Sequence, residues 1–208
     1  ETLLSYFDKV TGDRARSKRF LPLVGTFFLF ILLSNWMGLL PGTGSLGLWR
    51  EVHGEREFFP LLRPANSDLN LTVALALVSV IASHVFGVLS LGIFVHFNKF
   101  IQLGTLVKAL RSFHPIKILV ALVGFVVGLI EIFGELAKVA SLSLRLFGNI
   151  FAGEVLITVI ASLVPVFVPL PFMGIELLVG IVQATVFSLL TLVYLTVMTL
   201  PPHGEEAH

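Results

Sequence analysis

The stretch IKILVALVGFVVGLIEIFGELAKVASLSLRLFGNIFAGEVLITVIASLV, residues 116–164, decides the reading of this chain. It contains no proline and is apolar almost throughout, yet Glu131, Glu135, Lys138, Arg145 and Glu154 interrupt it. As one continuous helix it would be roughly 70 Å long at 1.5 Å rise per residue. The hydrocarbon core of a bilayer is only about 30 Å thick. Such a helix must lie strongly tilted or fold back on itself.

The rest of the chain supports a membrane setting. Of its 208 residues, 56% are hydrophobic and only 13% charged, with a mean hydropathy of +0.96. A soluble domain averages about 45–50% apolar and about 25% charged residues. Three further segments are long and apolar: 20–40, 69–98 and 172–200, the last with Glu176 as its one acid. They do not alternate as barrel strands would. The expected fold class is an all-α polytopic membrane protein. Two ordinary transmembrane helices, 20–40 and 69–98, precede two long tilted helices, 116–161 and 172–200, that form a hairpin. Residues 1–19 place Leu3, Leu4, Tyr6, Phe7 and Val10 at helical spacing among charges, which suits an amphipathic helix on the membrane surface.

Punctuation agrees with these bounds. Ser67 and Asp68 are candidate N-caps for the second helix, and Pro115 suits the first turn of the third. Pro165, Pro169 and Pro171 are expected to break the chain between the long helices, and Pro201 and Pro202 to end the last. Lys9, Arg14, Arg16, Lys18 and Arg19 crowd the first segment; Lys99, Lys108, Arg111 and Lys117 crowd loop 99–117, which has no acid. The bias of Lys and Arg toward the cytoplasm puts both segments inside and the Gly- and Pro-rich loop 41–67 outside. There Arg50, Arg56 and Arg63 are balanced by Glu51, Glu55 and Glu57.

Several chemistries are excluded. A net charge of +1 leaves no basic footprint for nucleic acid. No cysteine is present, and the six histidines lack metal-ligand spacing. No phosphate-binding GxxxxGK[ST] motif occurs, so no nucleotide site is expected in this chain. No catalytic chemistry, cofactor or metal is expected.

The intramembrane charges carry the functional signal. A central Arg or Asp costs about 2.5–3.5 kcal/mol on insertion scales, so such residues usually mark ion pathways. Glu131, Glu135, Lys138, Arg145 and Asn149 recur at spacings of three, four and seven, which share one helix face. Glu131, Glu135 and Lys138 could equally serve as helix glue or snorkel to an interface. Arg145, between Leu144 and Leu146, is too deep to snorkel. It reads with Glu154 and Glu176 as part of a proton or ion pathway. Glu176 and Gln183 share a face of the last helix. Ala140, Ser141, Ser143, Gly148, Ala152 and Gly153 surround Arg145 and let another backbone approach. His84 and His96 read as packed, hydrogen-bonded residues. A proton-coupled secondary transporter is the rival reading, but such folds usually show internal repeats, and none is visible.

Three runs carry a resemblance. Ser141-Leu-Ser-Leu-Arg-Leu-Phe-Gly-Asn-Ile-Phe-Ala-Gly-Glu154 resembles the signature of the subunit a family of rotary ATP synthases. Gln183-Ala-Thr-Val-Phe-Ser-Leu-Leu-Thr-Leu-Val-Tyr194 resembles the family's last helix, and Arg63-Pro-Ala-Asn-Ser-Asp-Leu-Asn70 its outer loop. The resemblance covers nearly the whole chain, in order. It implies a proton-channel stator subunit with two aqueous half-channels at a ring of c subunits, in a bacterial inner (plasma) membrane. The implied partners are the c-ring, peripheral-stalk b subunits and lipid. Arg145 matches the essential arginine facing the ring. Asn149, Glu154, Glu176 and Gln183 match residues lining the outer access channel, and Glu131 an acid of the inner one; Glu135, Lys138 and Ser141 are further candidates. Some members pair an acid with a histidine where Glu154 and Glu176 stand, so any role needing an imidazole there is in doubt. The family usually has one more membrane helix before the position of Glu1, which implies a truncated chain.

Overall fold

The computed structural model describes residues 2–40, 47–52, 55–60, 65–100, 115–164 and 167–200. Six α-helices, a short 3-10 helix (Ala65–Ser67) and one β-hairpin occur among them. In chain order the α-helices and strands are α1 (Thr2–Thr11), α2 (Arg14–Leu39), β1 (Gly47–Val52), β2 (Glu55–Pro60), α3 (Leu69–Leu91), α4 (Ile93–Phe100), α5 (Pro115–Leu163) and α6 (Pro169–Thr199). Four of these, α2, α3, α5 and α6, are long and apolar enough to cross a membrane. The chain is an all-α polytopic membrane protein, apart from that hairpin.

Local chemistry sets the breaks. Gly12, at φ +68°, ends α1 in the left-handed region that glycine tolerates. Asp13 then caps α2 by accepting a hydrogen bond from the Ala15 amide at 2.9 Å. The basic residues Arg14 to Arg19, expected to be part of one helix over 1–19, therefore belong to α2, the first of the long apolar helices, and α1 ends at Thr11. Thr11 and Ser17 join hydroxyls at 2.6 Å across the bend. Asp68 caps α3 through the Asn70 amide at 2.8 Å, as its position suggested.

Two boundaries differ from the sequence reading. The apolar run 69–98 is not one helix, because Gly92 at φ +85° breaks it and α4 sets off anew. Proline has no N–H to lose in a first turn, so Pro169 and Pro171 start α6 and do not interrupt the chain. By contrast α5 is continuous over 49 residues, with Pro115 as its first residue. The hairpin pairs Gly47 with Pro60 through Val52 with Glu55, antiparallel, within what composition alone marked only as an outer loop. Most of loop 99–117, Arg63 and Pro64 of the outer-loop motif, and the tail from Pro201 lie outside the described residues.

Helix α6 is the centre of the bundle and packs on α2, α3 and α5. One core cluster joins Phe27 and Ile31 of α2, Ala76 of α3, Leu142 and Leu146 of α5, and Ala184 and Phe187 of α6. A second joins Phe7, Phe20 and Val24 to Leu192 and Leu195. Polar ties replace apolar packing at one end. Asn66, fully buried just before α3, donates to Asn35 Oδ1 at 2.7 Å. Asn35 in turn donates to the Gly180 carbonyl at 3.3 Å. A side chain at position 180 would meet Asn35 Cβ at 3.2 Å, so glycine there lets α2 and α6 close up.

Candidate functional site

The site lies along α5 and the antiparallel α6. Antiparallel packing follows from two cross-contacts: Asn149 reaches Gln183, and Gly153 faces Glu176. As position rises on one helix it falls on the other.

Arg145 projects outward from α5 and is exposed beside Leu144, while Leu142 and Leu146 point into the core. Its Nη2 reaches Ser141 Oγ, one turn back, at 3.4 Å. The guanidinium is thus displayed on an exposed, largely apolar face of α5. One turn on, Asn149 Nδ2 donates to Gln183 Oε1 at 2.8 Å. Gln183 is 3% exposed, and its own Nε2 is buried without a hydrogen bond among the described residues.

The next turn places Glu176 against α5. The carboxyl of Glu176 lies against Gly153, in the space that any side chain at position 153 would need. Glu154 follows Gly153 directly and is half-buried, with its Oε2 closed off from solvent. Gly153 therefore serves as the seat of a carboxyl group. The small residue was read from sequence as a backbone contact surface; at this position it makes room for an acid.

The remaining stripe faces elsewhere. Glu135 Oε1 accepts from Lys138 Nζ at 2.6 Å, and Lys138 lies 5.1 Å from the centre of the Tyr194 ring. Glu135 Oε2 stands 3.4 Å from His84 Nε2 on α3. His84 Nδ1 is 3.1 Å from His96 Nε2 on α4. The two histidines are thus a pair, where sequence alone treated each as an isolated packed residue. Helical spacing along α5 could not disclose which groups of α3 and α4 face it. Glu131 is half-buried one turn before Glu135.

Comparison with known proteins gives this arrangement a family. The profile of the ATP synthase A chain family matches residues 1–196. A protein named ATP synthase subunit a from Mycobacterium ulcerans is 38% identical over 177 residues, covering 84% of this chain and 60% of that protein. Its namesake from Mycobacterium marinum matches to the same extent. The namesake from Moorella thermoacetica is 33% identical over 199 residues, covering 94% of this chain and 72% of that protein. The chain spans about 60% of the length of the mycobacterial relatives. The bacterial relatives and four apolar helices make it a multi-pass integral protein of a bacterial plasma membrane. The chain belongs to the ATP synthase A chain family.

Proposed function

We propose that this chain is the proton-channel stator subunit of an F-type ATP synthase. In this role it forms two aqueous half-channels against a ring of c subunits and couples proton flow to ring rotation. The observation that carries the reading is the outward, exposed Arg145 on an apolar helix face, with Asn149–Gln183 and the Glu154–Glu176 acids on the following turns. Peripheral-stalk b subunits hold the chain against the turning ring, and nucleotide chemistry lies in other subunits.

The mechanism follows from the cost of charge in lipid. A proton enters one half-channel past Glu176, Glu154 and Gln183 and neutralises a ring carboxylate. A neutral site can face hydrocarbon; an ionised one costs kilocalories. After almost a full turn the acid meets Arg145, and an opposite charge within about 4–6 Å favours the ionised carboxylate. The proton leaves through the other half-channel, along the Glu131, Glu135, Lys138 and Ser141 stretch of α5. An arginine cannot be deprotonated in a protein, so Arg145 relays no proton and blocks a leak between the half-channels. Each charge crossing 100 mV delivers about 2.3 kcal/mol. The basic end of the bundle, with Arg14 to Arg19, faces the cytoplasm, and loop 41–67 faces outside. At its length α5 lies strongly inclined to the membrane normal.

Family membership and the lack of any internal repeat leave the secondary-transporter reading without support. The test is Arg145→Ala in membrane vesicles carrying the whole complex. ATP synthesis driven by a proton gradient is expected to vanish while the chain still inserts and co-purifies with the c-ring. Normal synthesis by the variant would end the reading.

A further inference from the structure

The His84–His96 pair is a polar device that the mechanism above leaves unused. It sits at the basic end of the bundle. Phe86, two residues after His84, packs edge-on against Phe20 at 5.4 Å, and Arg19 lies 5.4 Å from the centre of the Phe86 ring. His96 is 2% exposed. It follows the Gly92 reversal, which turns α4 so that its imidazole comes back to α3. Gly87 supplies the space, since a Cβ there would stand 2.7 Å from His96 Cε1 and 2.9 Å from the Met198 carbonyl oxygen.

The contacts form one unbroken series across four helices. It runs from Tyr194 on α6 to Lys138 and Glu135 on α5, then to His84 on α3 and His96 on α4. Among the described residues, the charged and titratable groups facing the imidazoles include Glu135 and Lys138 from α5, with Tyr194 behind them on α6. Arg19 of α2 stands beyond Phe86. Lys138 is two turns from Arg145 on the same helix, about 10 Å along the axis. Among the described residues no group of His and acid side chains could hold a metal ion, so a metal does not account for the cluster.

We infer that His84 and His96 are the terminal proton relay of the inner half-channel, passing protons between the Glu135 segment of α5 and the cytoplasmic end of the bundle. The inference rests on the stator reading above. At 3.1 Å one of the facing nitrogens donates and the other accepts, so the contact holds one proton. With His84 Nδ1 donating to His96 Nε2, the Nε2 of His84 that faces Glu135 carries no hydrogen and is open to a proton. A proton taken up by His84 from the α5 side makes it an imidazolium beside the Glu135 carboxylate. It then gives the Nδ1 proton to His96 as that ring releases one toward the cytoplasmic end. One N–H bond forms for each that breaks, and no net charge stays behind. Lys138 offsets Glu135, which keeps the carboxylate from trapping the imidazolium. An unperturbed imidazole changes charge between about pH 5 and 8, the range in which a relay to the cytoplasm must work.

The test is passive proton conductance through the membrane sector in vesicles, with pH varied on the inner side alone. In the wild type, conductance is expected to change across inner pH 5.5–8.5 and to respond little to outer pH over that range. His84→Gln and His96→Gln, which keep hydrogen bonding but do not titrate, are expected to lose about tenfold in conductance and to lose that pH response. This is below the roughly 10²–10⁴-fold of a proton-transfer group at a reacting centre, because ring rotation shares the rate limit. Added imidazole is expected to restore part of the flux in His96→Gly. Wild-type conductance in an assembled His84→Gln complex would overturn the relay. So would a wild-type conductance independent of inner pH, a measurement that needs no variant to fold. Either result is separate from normal ATP synthesis by Arg145→Ala, which would overturn the stator reading itself.

Discussion

The side-chain amide of Asn149 is hydrogen-bonded to that of Gln183 at 2.8 Å, one turn beyond Arg145, and this bond joins the two long helices where the outward charge is displayed. Hydrogen bonds between membrane helices are worth about 0.6 kcal/mol on average and up to about 1.7. Asn149→Leu and Gln183→Leu are each expected to destabilise the chain by about 1 kcal/mol. A double-mutant cycle on thermal unfolding in detergent should give a coupling of about 0.5–1.5 kcal/mol. Additive losses would show that the bond contributes nothing.

The Glu176 carboxyl occupies the space that a side chain at position 153 would need. Gly153→Ala is expected to displace that carboxyl and to cut proton flux at least tenfold without loss of assembly. Shortening the acid by one methylene should relieve the clash. The double variant Gly153→Ala/Glu176→Asp should therefore conduct better than Gly153→Ala alone, measured in vesicles by quenching of a pH-sensitive dye.

Glu176 lies against Gly153, the residue that precedes Glu154 on the neighbouring helix. Glu176→Gln preserves shape and hydrogen bonding but carries no proton, so ATP-driven flux is expected to fall strongly between pH 6 and 9. Glu176→His should keep substantial flux, because imidazole also titrates near neutrality. Equal flux for wild type and Glu176→Gln at every pH would leave Glu176 a scaffold residue.

Arg145 bonds only weakly to Ser141, at 3.4 Å, so its fork of donors is available to a partner surface. Lysine offers a compact ammonium that deprotonates when desolvated and cannot bind a carboxylate in two-pronged fashion. Arg145→Lys is expected to reduce gradient-driven ATP synthesis to near background. Retention of more than half the wild-type rate would show that any cation suffices.

Gly87 is enclosed by the His96 ring and the Met198 carbonyl. Gly87→Ala is expected to destabilise the chain by about 1–3 kcal/mol through overpacking. The larger part should come from the backbone oxygen, which cannot swing aside as a side chain can. Comparing Gly87→Ala with Gly87→Ala/His96→Ala by thermal unfolding would measure the ring's share.

Much of this architecture was legible in the sequence because membrane insertion demands long apolar runs and rare, placed charges. The proline-free run after Pro115 became one helix, and Asp68 became a cap, since both depend only on neighbouring residues. Arg145 stood out because charge is costly in hydrocarbon wherever it faces. The breaks at Gly12 and Gly92 were not legible, because a positive φ leaves no mark on the hydropathy of an apolar run. The β-hairpin of residues 47–60 lay in a stretch whose charges and aromatics follow no clean alternation. The meeting of Glu135 with His84, and of His84 with His96, was equally hidden. Helical periodicity tells which residues share a face and is silent on what the neighbouring helix sets opposite them.

The Asn66–Asn35–Gly180 contact also sets a depth register. Gly180 and Gln183 are three residues apart on α6, about 4.5 Å along its axis. Asn35 approaches Gly180 too closely for α6 to slide along α2 without losing the bond or striking the side chain. The contact is thus a fixed datum from which the height of Gln183, and with it Asn149 and the acids beyond, is measured. A substitution at Asn35, two helices away from Asn149, is therefore expected to change the height of Gln183 and Asn149 together.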